Sequence, residues 1–277
     1  MKHALQLASF GLVALALNGC AISVQREIEL GNEYAAELDR ELPIVRSRAV
    51  QRTIDDFMRP ILARSIRPEI NWNVRVVNMA AINAFAVPGG HLYVTTGLIQ
   101  AANHYDELAG VMGHEMGHVD LRHSAEQIGK ATAAQVGVGI GYVLLGREPG
   151  ETEQVAVGAA AGALFAKFSR DDEREADRAA VSYMTEAGID PSGLAGMFEI
   201  LGALNERDPS ALEQFFASHP TTDSRIEEVW AAIDATPGAR AAVGDGISDE
   251  PIFATLQELV AALPPPPPPA PTPPRSK

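Results

Sequence analysis

The chain has 277 residues, with 22 basic and 36 acidic side chains and a formal charge of −14. That length suits one generous domain or two small ones, and the acidic balance argues against nucleic-acid binding, which favours basic patches. Cys20 is the sole cysteine, so no disulfide can form within the chain.

Residues 1–20 read as an export signal. Lys2 gives a short positive start, residues 5–17 an apolar run, and Leu17-Asn18-Gly19-Cys20 a lipoprotein cleavage box in which only Asn18 is uncommon. Roughly thirteen apolar residues suit a signal core and are too few to span a bilayer. The expectation is a signal peptide over residues 1–19 and a lipid on Cys20, the alternative being an ordinary buried start. Ala21 follows the cysteine where an Asp would retain the protein, which predicts sorting to the periplasmic face of an outer membrane.

Residues 24–42 and 46–66 carry apolar side chains at helical spacing, Leu30, Tyr34 and Leu38 in the first and Ile54, Phe57 and Ile61 in the second. Residues 71–78 alternate in the manner of a strand. Residues 82–87 and 91–95 form a predicted hairpin across Pro88-Gly89-Gly90. The strand 91–95 offers a sheet edge to an extended substrate, unless both its edges are paired.

Helices follow to about residue 124, and within them stands His114-Glu115-Met116-Gly117-His118. Positions i and i+4 share a helical face, so both imidazoles can hold one zinc ion with Glu115 beside it. Zinc lowers the pKa of water to roughly 7, and a neighbouring carboxylate can take the proton, which suits peptide hydrolysis. Asn103 and Asp106 are placed to cap or charge the start of this apolar helix. The competing reading is a core helix with two satisfied histidines, which would need several polar partners.

A third ligand is required. An extended zincin pattern would put a His at position 124 and a Gly at position 121, but those are Ser124 and Leu121. His123 is one residue out of register and falls on another face if the helix continues, so it is expected at the surface or a helix end. Residues 169–178 offer a carboxylate instead. Glu173 and Asp177 share a face with Ala180, Val181 and Met184, and acids on a core-facing stripe need a metal or a cation. Glu175 and Asp172 point elsewhere and are expected in solvent. The alternative is an ordinary charged helix start.

Between these segments, residues 131–168 are apolar and rich in Gly and Ala, interrupted by residues 147–153. Each run is shorter than the approximately 20 residues of a spanning helix, so a small-residue hairpin near the active site or the membrane surface is expected rather than a transmembrane pair. Asp190-Pro191 and Asp208-Pro209 read as helix starts, and residues 222–234 and 252–263 as two more helices. Residues 264–277 form a proline-rich tail, expected to be extended and solvated, as a spacer or a ligand for a proline-binding module. No repeat array of helix pairs is expected after the catalytic part.

The order HEMGH, then Glu173-x-x-x-Asp177 after Ser169-Arg170, then Ser218-His219-Pro220 and Arg225, resembles the HtpX and CAAX-prenyl-protease type of zinc metallopeptidase, peptidase family M forty-eight of the gluzincin group. Asn83-Ala84-Phe85, Pro88-Gly89-Gly90 and Thr96-Gly97-Leu98 also match, and the likeness spans roughly residues 75–230. The resemblance implies a mainly helical α+β gluzincin fold over residues 20–263, with a small sheet beside the zinc helix. It implies His114, His118 and Glu173 as ligands of one zinc ion, Glu115 as general base, and Asp177 as the carboxylate that orients a ligand imidazole. It also implies His219 and Arg225 on the substrate side of the site. There His219 would donate to the oxyanion of the tetrahedral intermediate, or occupy the open metal position as a latch, the reading favoured for a resting enzyme.

The expectation is an endopeptidase of the bacterial envelope acting on misfolded or unassembled proteins or peptides, tied to the membrane through Cys20. The rival is a latent protease that works mainly as a chaperone or binding factor in envelope protein assembly. Glu115 speaks against a dead enzyme, because zinc binding alone does not require it. A prenyl-peptide protease is disfavoured by the export signal and the lack of spanning helices.

Overall fold

A computed structural model describes residues 22–129, 167–219 and 223–266. The expected signal segment with Cys20, the Gly/Ala-rich stretch read as a hairpin, up to residue 166, and the proline-rich residues beyond 266 lie outside the described residues. No helix among the described residues is long and apolar enough to cross a membrane.

Helix α1, Val24–Glu41, starts where the Ser23 hydroxyl accepts the Arg26 N–H, and α2, Arg48–Leu62, starts in the same way at Ser47. The buried stripe of α2 is Val50, Ile54, Phe57, Met58 and Ile61, the 3–4 spacing of a helix with one face in the core. Three strands follow: β1 Asn73–Val77, β2 Ala84–Val87 and β3 His91–Thr95. Gly89 and Gly90 take φ of 84° and 93° in the β2–β3 turn, a region that L side chains rarely adopt.

The sheet order is β1-β3-β2, with β1 parallel and β2 antiparallel to β3. This corrects the expectation that residues 91–95 form a sheet edge. β3 is hydrogen-bonded on both sides and buried along its whole length, as a central strand must be when both faces are covered. Leu92 and Val94 enter the main core, while Tyr93 faces Tyr34 and Leu38 of α1. On the β1 side, residues 43–45 continue the pairing through Val45 N–H to Val76 O and Asn78 N–H to Pro43 O. β2 pairs only with β3 among the described residues.

After α3, Thr96–Ala101, the chain enters α4, Tyr105–Asp120, buried throughout. His104 is its N-cap residue, and Glu107 Oε2 accepts the backbone N–H groups of Asn103 and His104, so the cap is one step from the residues expected. Gly110, Gly113 and Gly117 form a small-residue face on α4. Against it lie α5, Arg170–Glu186, and α6, Gly193–Arg207. A Cβ on Gly113 would stand 3.6 Å from Ala180, and one on Gly117 would stand 3.2 Å from the Ala176 backbone. That close approach sets the acidic face of α5 against the histidines of α4.

Asp190 serves a turn ahead of α6, accepting from the Ser192 N–H and hydroxyl and from the Gly244 N–H, so the helix begins two residues beyond Pro191. Asp208 caps the 3-10 turn Pro209–Leu212. Helices α7, Glu213–Ser218, α8, Asp223–Ala235, α9, Ala239–Ala242, and α10, Pro251–Ala261, complete the described chain. The architecture is mainly helical α+β, with β2 and β3 both packed on α4.

Candidate metal centre

The i and i+4 positions of α4 put His114 and His118 on one face, as the spacing predicts, with their Nε2 atoms 3.0 Å apart. Helix α5 brings Glu173 across to them: Oε1 is 3.5 Å from His118 Nε2 and Oε2 is 3.6 Å from His114 Nε2. His219, at the C-terminal end of α7, closes the group. Its Nδ1 is 2.9 Å from Glu173 Oε1 and 3.4 Å from His114 Nε2. All four residues are buried, and one ligand atom from each lies within 4.8 Å of the others.

These donors fit zinc. Bonds of about 2.0–2.1 Å in a tetrahedron have edges of roughly 3.3–3.4 Å, and the observed separations bracket that length. Two imidazole nitrogens and a carboxylate are an ordinary zinc donor set. Among the described residues this is the single cluster of three or more such side chains. Burial holds the His118 imidazole well below its usual pKa, so it is neutral and able to offer a lone pair. Burial opposes charge on Glu173 too, but the surrounding histidines outweigh it and its pKa is lowered, keeping the carboxylate ionised.

Asp177, one turn beyond Glu173, accepts from His114 Nδ1 at 2.8 Å, which directs the His114 Nε2 lone pair into the cluster. Arg225 of α8 donates through Nε and Nη2 to the two oxygens of Asp177, and its Nη1 lies 2.7 Å from Glu173 Oε2 at an angle that suits an ion pair rather than a hydrogen bond. The guanidinium also stacks 4.3 Å over the Phe198 ring. Burial works against ionised Asp177, yet Arg225 and His114 hold its pKa below the usual carboxylate range.

Glu115, the next residue after His114, lines an apolar cleft of about 360 Å³ whose walls include Leu42, Met79, Phe85, Phe168 and His219. Its Oε1 has no hydrogen bond and lies 3.4 Å from His219 Nε2. Burial raises the Glu115 pKa, the direction that makes a carboxylate a better base near neutrality. Arg225 is not among the residues lining this cleft; it faces the two carboxylates of α5.

Two neighbours escaped the sequence reading. Phe168 stacks on His118 with ring centroids 3.8 Å apart, and nothing in the sequence marked it. His123, expected at the surface or a helix end, is buried, with its Nδ1 2.9 Å from His118 Nδ1. Glu175 is half exposed, as expected, but lies 3.4 Å from His123 Nε2.

The profile of Peptidase family M48 matches residues 46–233. Metalloprotease YcaL of Escherichia coli strain K12 is 31% identical over 220 residues, covering 78% of this chain and 77% of that protein. The beta-barrel assembly-enhancing protease of Yersinia pestis is 28% identical over 217 residues, covering 76% of this chain and 44% of that protein. The mitochondrial metalloendopeptidase OMA1 of Schizosaccharomyces pombe is 29% identical over 201 residues, covering 73% of this chain and 57% of that protein. The chain thus spans about half the length of several relatives it matches and more than three quarters of YcaL. With a family profile over most of its length and the donor residues gathered at one point, this chain belongs to the zinc metallopeptidases of Peptidase family M48.

Proposed function

We propose that this protein is a zinc-dependent endopeptidase of the bacterial cell envelope that cleaves misfolded or unassembled proteins. The observation that carries the reading is the convergence of His114, His118 and Glu173 beside the buried, unbonded Glu115 oxygen at the end of an apolar cleft. In this reading His114, His118 and Glu173 hold one zinc ion per chain. Zinc, when bound, supplies a Lewis acid that lowers the pKa of water to about 7. Glu115 takes the proton of the attacking water and returns it to the leaving amine, the task for which its raised pKa suits it. Asp177 fixes the tautomer of His114, and Arg225 holds Asp177 and Glu173 ionised. β2, the sheet edge whose Phe85 and Ala86 line the cleft, offers backbone donors and acceptors to an extended peptide.

His219 serves as a latch in the resting enzyme. Its Nδ1 lies 2.9 Å from Glu173 Oε1 and 3.4 Å from His114 Nε2, which supports a state in which His219 would join the residues that would hold the ion and keep water from it. A latent protease that works mainly as a chaperone in envelope protein assembly is the second reading, and the same contact favours it. Export over residues 1–19, lipid on Cys20, a metallopeptidase domain over residues 20–263 and a proline-rich tail over 264–277 complete the proposal. The name of the beta-barrel assembly-enhancing protease supports the envelope, residues 17–20 support the lipid anchor, and Ala21 supports sorting to an outer membrane.

The test is the purified mature chain incubated with unfolded casein, against Glu115→Gln and with metal analysis of both. Zinc in both proteins and cleavage by the wild type alone is the expected result. Equal cleavage by Glu115→Gln, with contaminating protease excluded, would reject Glu115 as the base.

A further inference from the structure

His123 stands five residues after His118, and on a continuous helix it would point about 140° away from it. The helix is not continuous. α4 ends at Asp120, Arg122 takes a left-handed φ of 64°, and a new helical segment runs over residues 123–129. Arg122 is held in that conformation by its side chain. Nε donates to Glu27 Oε2 at 2.8 Å and Nη2 to the Ile22 carbonyl at 2.6 Å. Glu27 is itself buried and paired with Arg67. The bend turns His123 back under the metal centre, where it is 4% exposed.

The hydrogen positions follow from the neighbours. His118 Nε2 faces His114 and Glu173, so it carries the lone pair and Nδ1 carries the hydrogen. Two N–H groups cannot face each other at 2.9 Å, so His123 Nδ1 is the acceptor. Its hydrogen then sits on Nε2, which is the atom directed at Glu175 Oε2. His114 is oriented by the carboxylate of Asp177; His118 has no carboxylate at its Nδ1 among the described residues, and His123 occupies that place.

We propose that His123 is a positioning residue for the metal site, accepting the His118 Nδ1 hydrogen so that His118 Nε2 is presented to the ion, with Glu175 fixing the His123 tautomer. The inference rests on His114, His118 and Glu173 as the zinc ligands. Arg122 and Glu27 are then the means by which the fold delivers His123, which ties α1 to the geometry of the centre.

The experiment compares wild type, His123→Phe and His123→Asn for zinc affinity, by competition with a chromogenic chelator, and for the visible absorption of the cobalt-substituted protein. Phe fills the space without an acceptor. Asn places Oδ1 near the position of Nδ1 and restores one. Zinc affinity is expected to fall about 10- to 100-fold in His123→Phe, with an altered cobalt spectrum, and to recover most of that loss in His123→Asn. Wild-type affinity and spectrum in His123→Phe would overturn the proposal, as would a His123→Asn variant as weak as His123→Phe, since that pattern marks a packing effect. Failure of the wild-type protein to bind zinc would instead overturn the ligand assignment beneath it.

Discussion

The Nδ1 atom of His219 lies 2.9 Å from Oε1 of Glu173, so a residue at the end of α7 joins the donor side chains that α4 and α5 bring together. A latch and an oxyanion donor predict opposite outcomes for His219→Ala. If the inserted state outweighs the open one by about 10 to 1, removing the imidazole raises basal cleavage of an unfolded protein about tenfold, with zinc still bound. Loss of an oxyanion donor would instead lower turnover by about 100-fold or more. Initial rates on casein for both proteins at equal zinc content decide between them. Unchanged rates would reject both roles.

Arg225 answers two buried carboxylates at once. Arg225→Ala should destabilise the metal-free protein by about 3–5 kcal/mol, because it leaves Asp177 and Glu173 without their cation. Adding Asp177→Asn should recover part of that loss, since one stranded charge is gone. Urea denaturation of the single and double variants measures the coupling. Strict additivity of the two changes would separate Arg225 from Asp177 and contradict the observed contacts.

The parts of the centre that were legible in the sequence were those carried by one regular helix at a time. His114 and His118 share a face because of a local period, and so do Glu173 and Asp177. The features that were not legible depend on how elements meet. Strand order is a tertiary property, so residues 91–95 read as well for an edge as for the centre, and only pairing with β1 on one side and β2 on the other decides it. His123 falls on another face only if the helix continues, and it does not: Arg122, a non-glycine residue, takes a left-handed conformation tied to Glu27 nearly a hundred residues away, so His123 stands at a helix break yet is buried. The Asp-Pro pairs read as helix starts, but Asp190 serves a turn two residues ahead of its helix, and Asp208 caps a 3-10 segment rather than an α-helix.

The small-residue face of α4 is graded, and substitutions should reveal it. A Cβ at Gly110 would lie 2.8 Å from Leu194 Cα and 3.0 Å from its N, so α6 would have to move. Gly110→Ala should therefore cost about 1–3 kcal/mol. At Gly113 the nearest atoms are 3.6 Å away, ordinary contact, and Ala is the better helix former by roughly 0.8–1 kcal/mol. Gly113→Ala should match or slightly exceed the wild type. Denaturation midpoints for the two variants test this, and equal losses in both would mean that the helix spacing is misjudged.

Asp106 gives the clearest pH signature away from the metal. It lies in the first turn of α4, where the helix dipole favours a negative charge, but it is 6% exposed and its Oδ1 has no hydrogen bond. Burial, then the nearby charges of Asp190 and Glu107, outweigh the backbone bond and His104 and raise its pKa from 3.8 to about 7. A raised carboxyl pKa means that the folded protein holds a proton which the unfolded chain has released. Stability from this group is therefore fully present below pH 3.8 and is lost as pH climbs to about 7, above which the folded state carries the whole penalty. Asp106→Asn removes the charge at every pH. Relative to wild type it should gain stability as pH rises from 5 to 8, by on the order of 2 kcal/mol, with little difference near pH 4. Urea titrations of both proteins at pH 5 and pH 8 give the two differences. A constant gap at both values would mean that Asp106 is already ionised in the folded protein across this range.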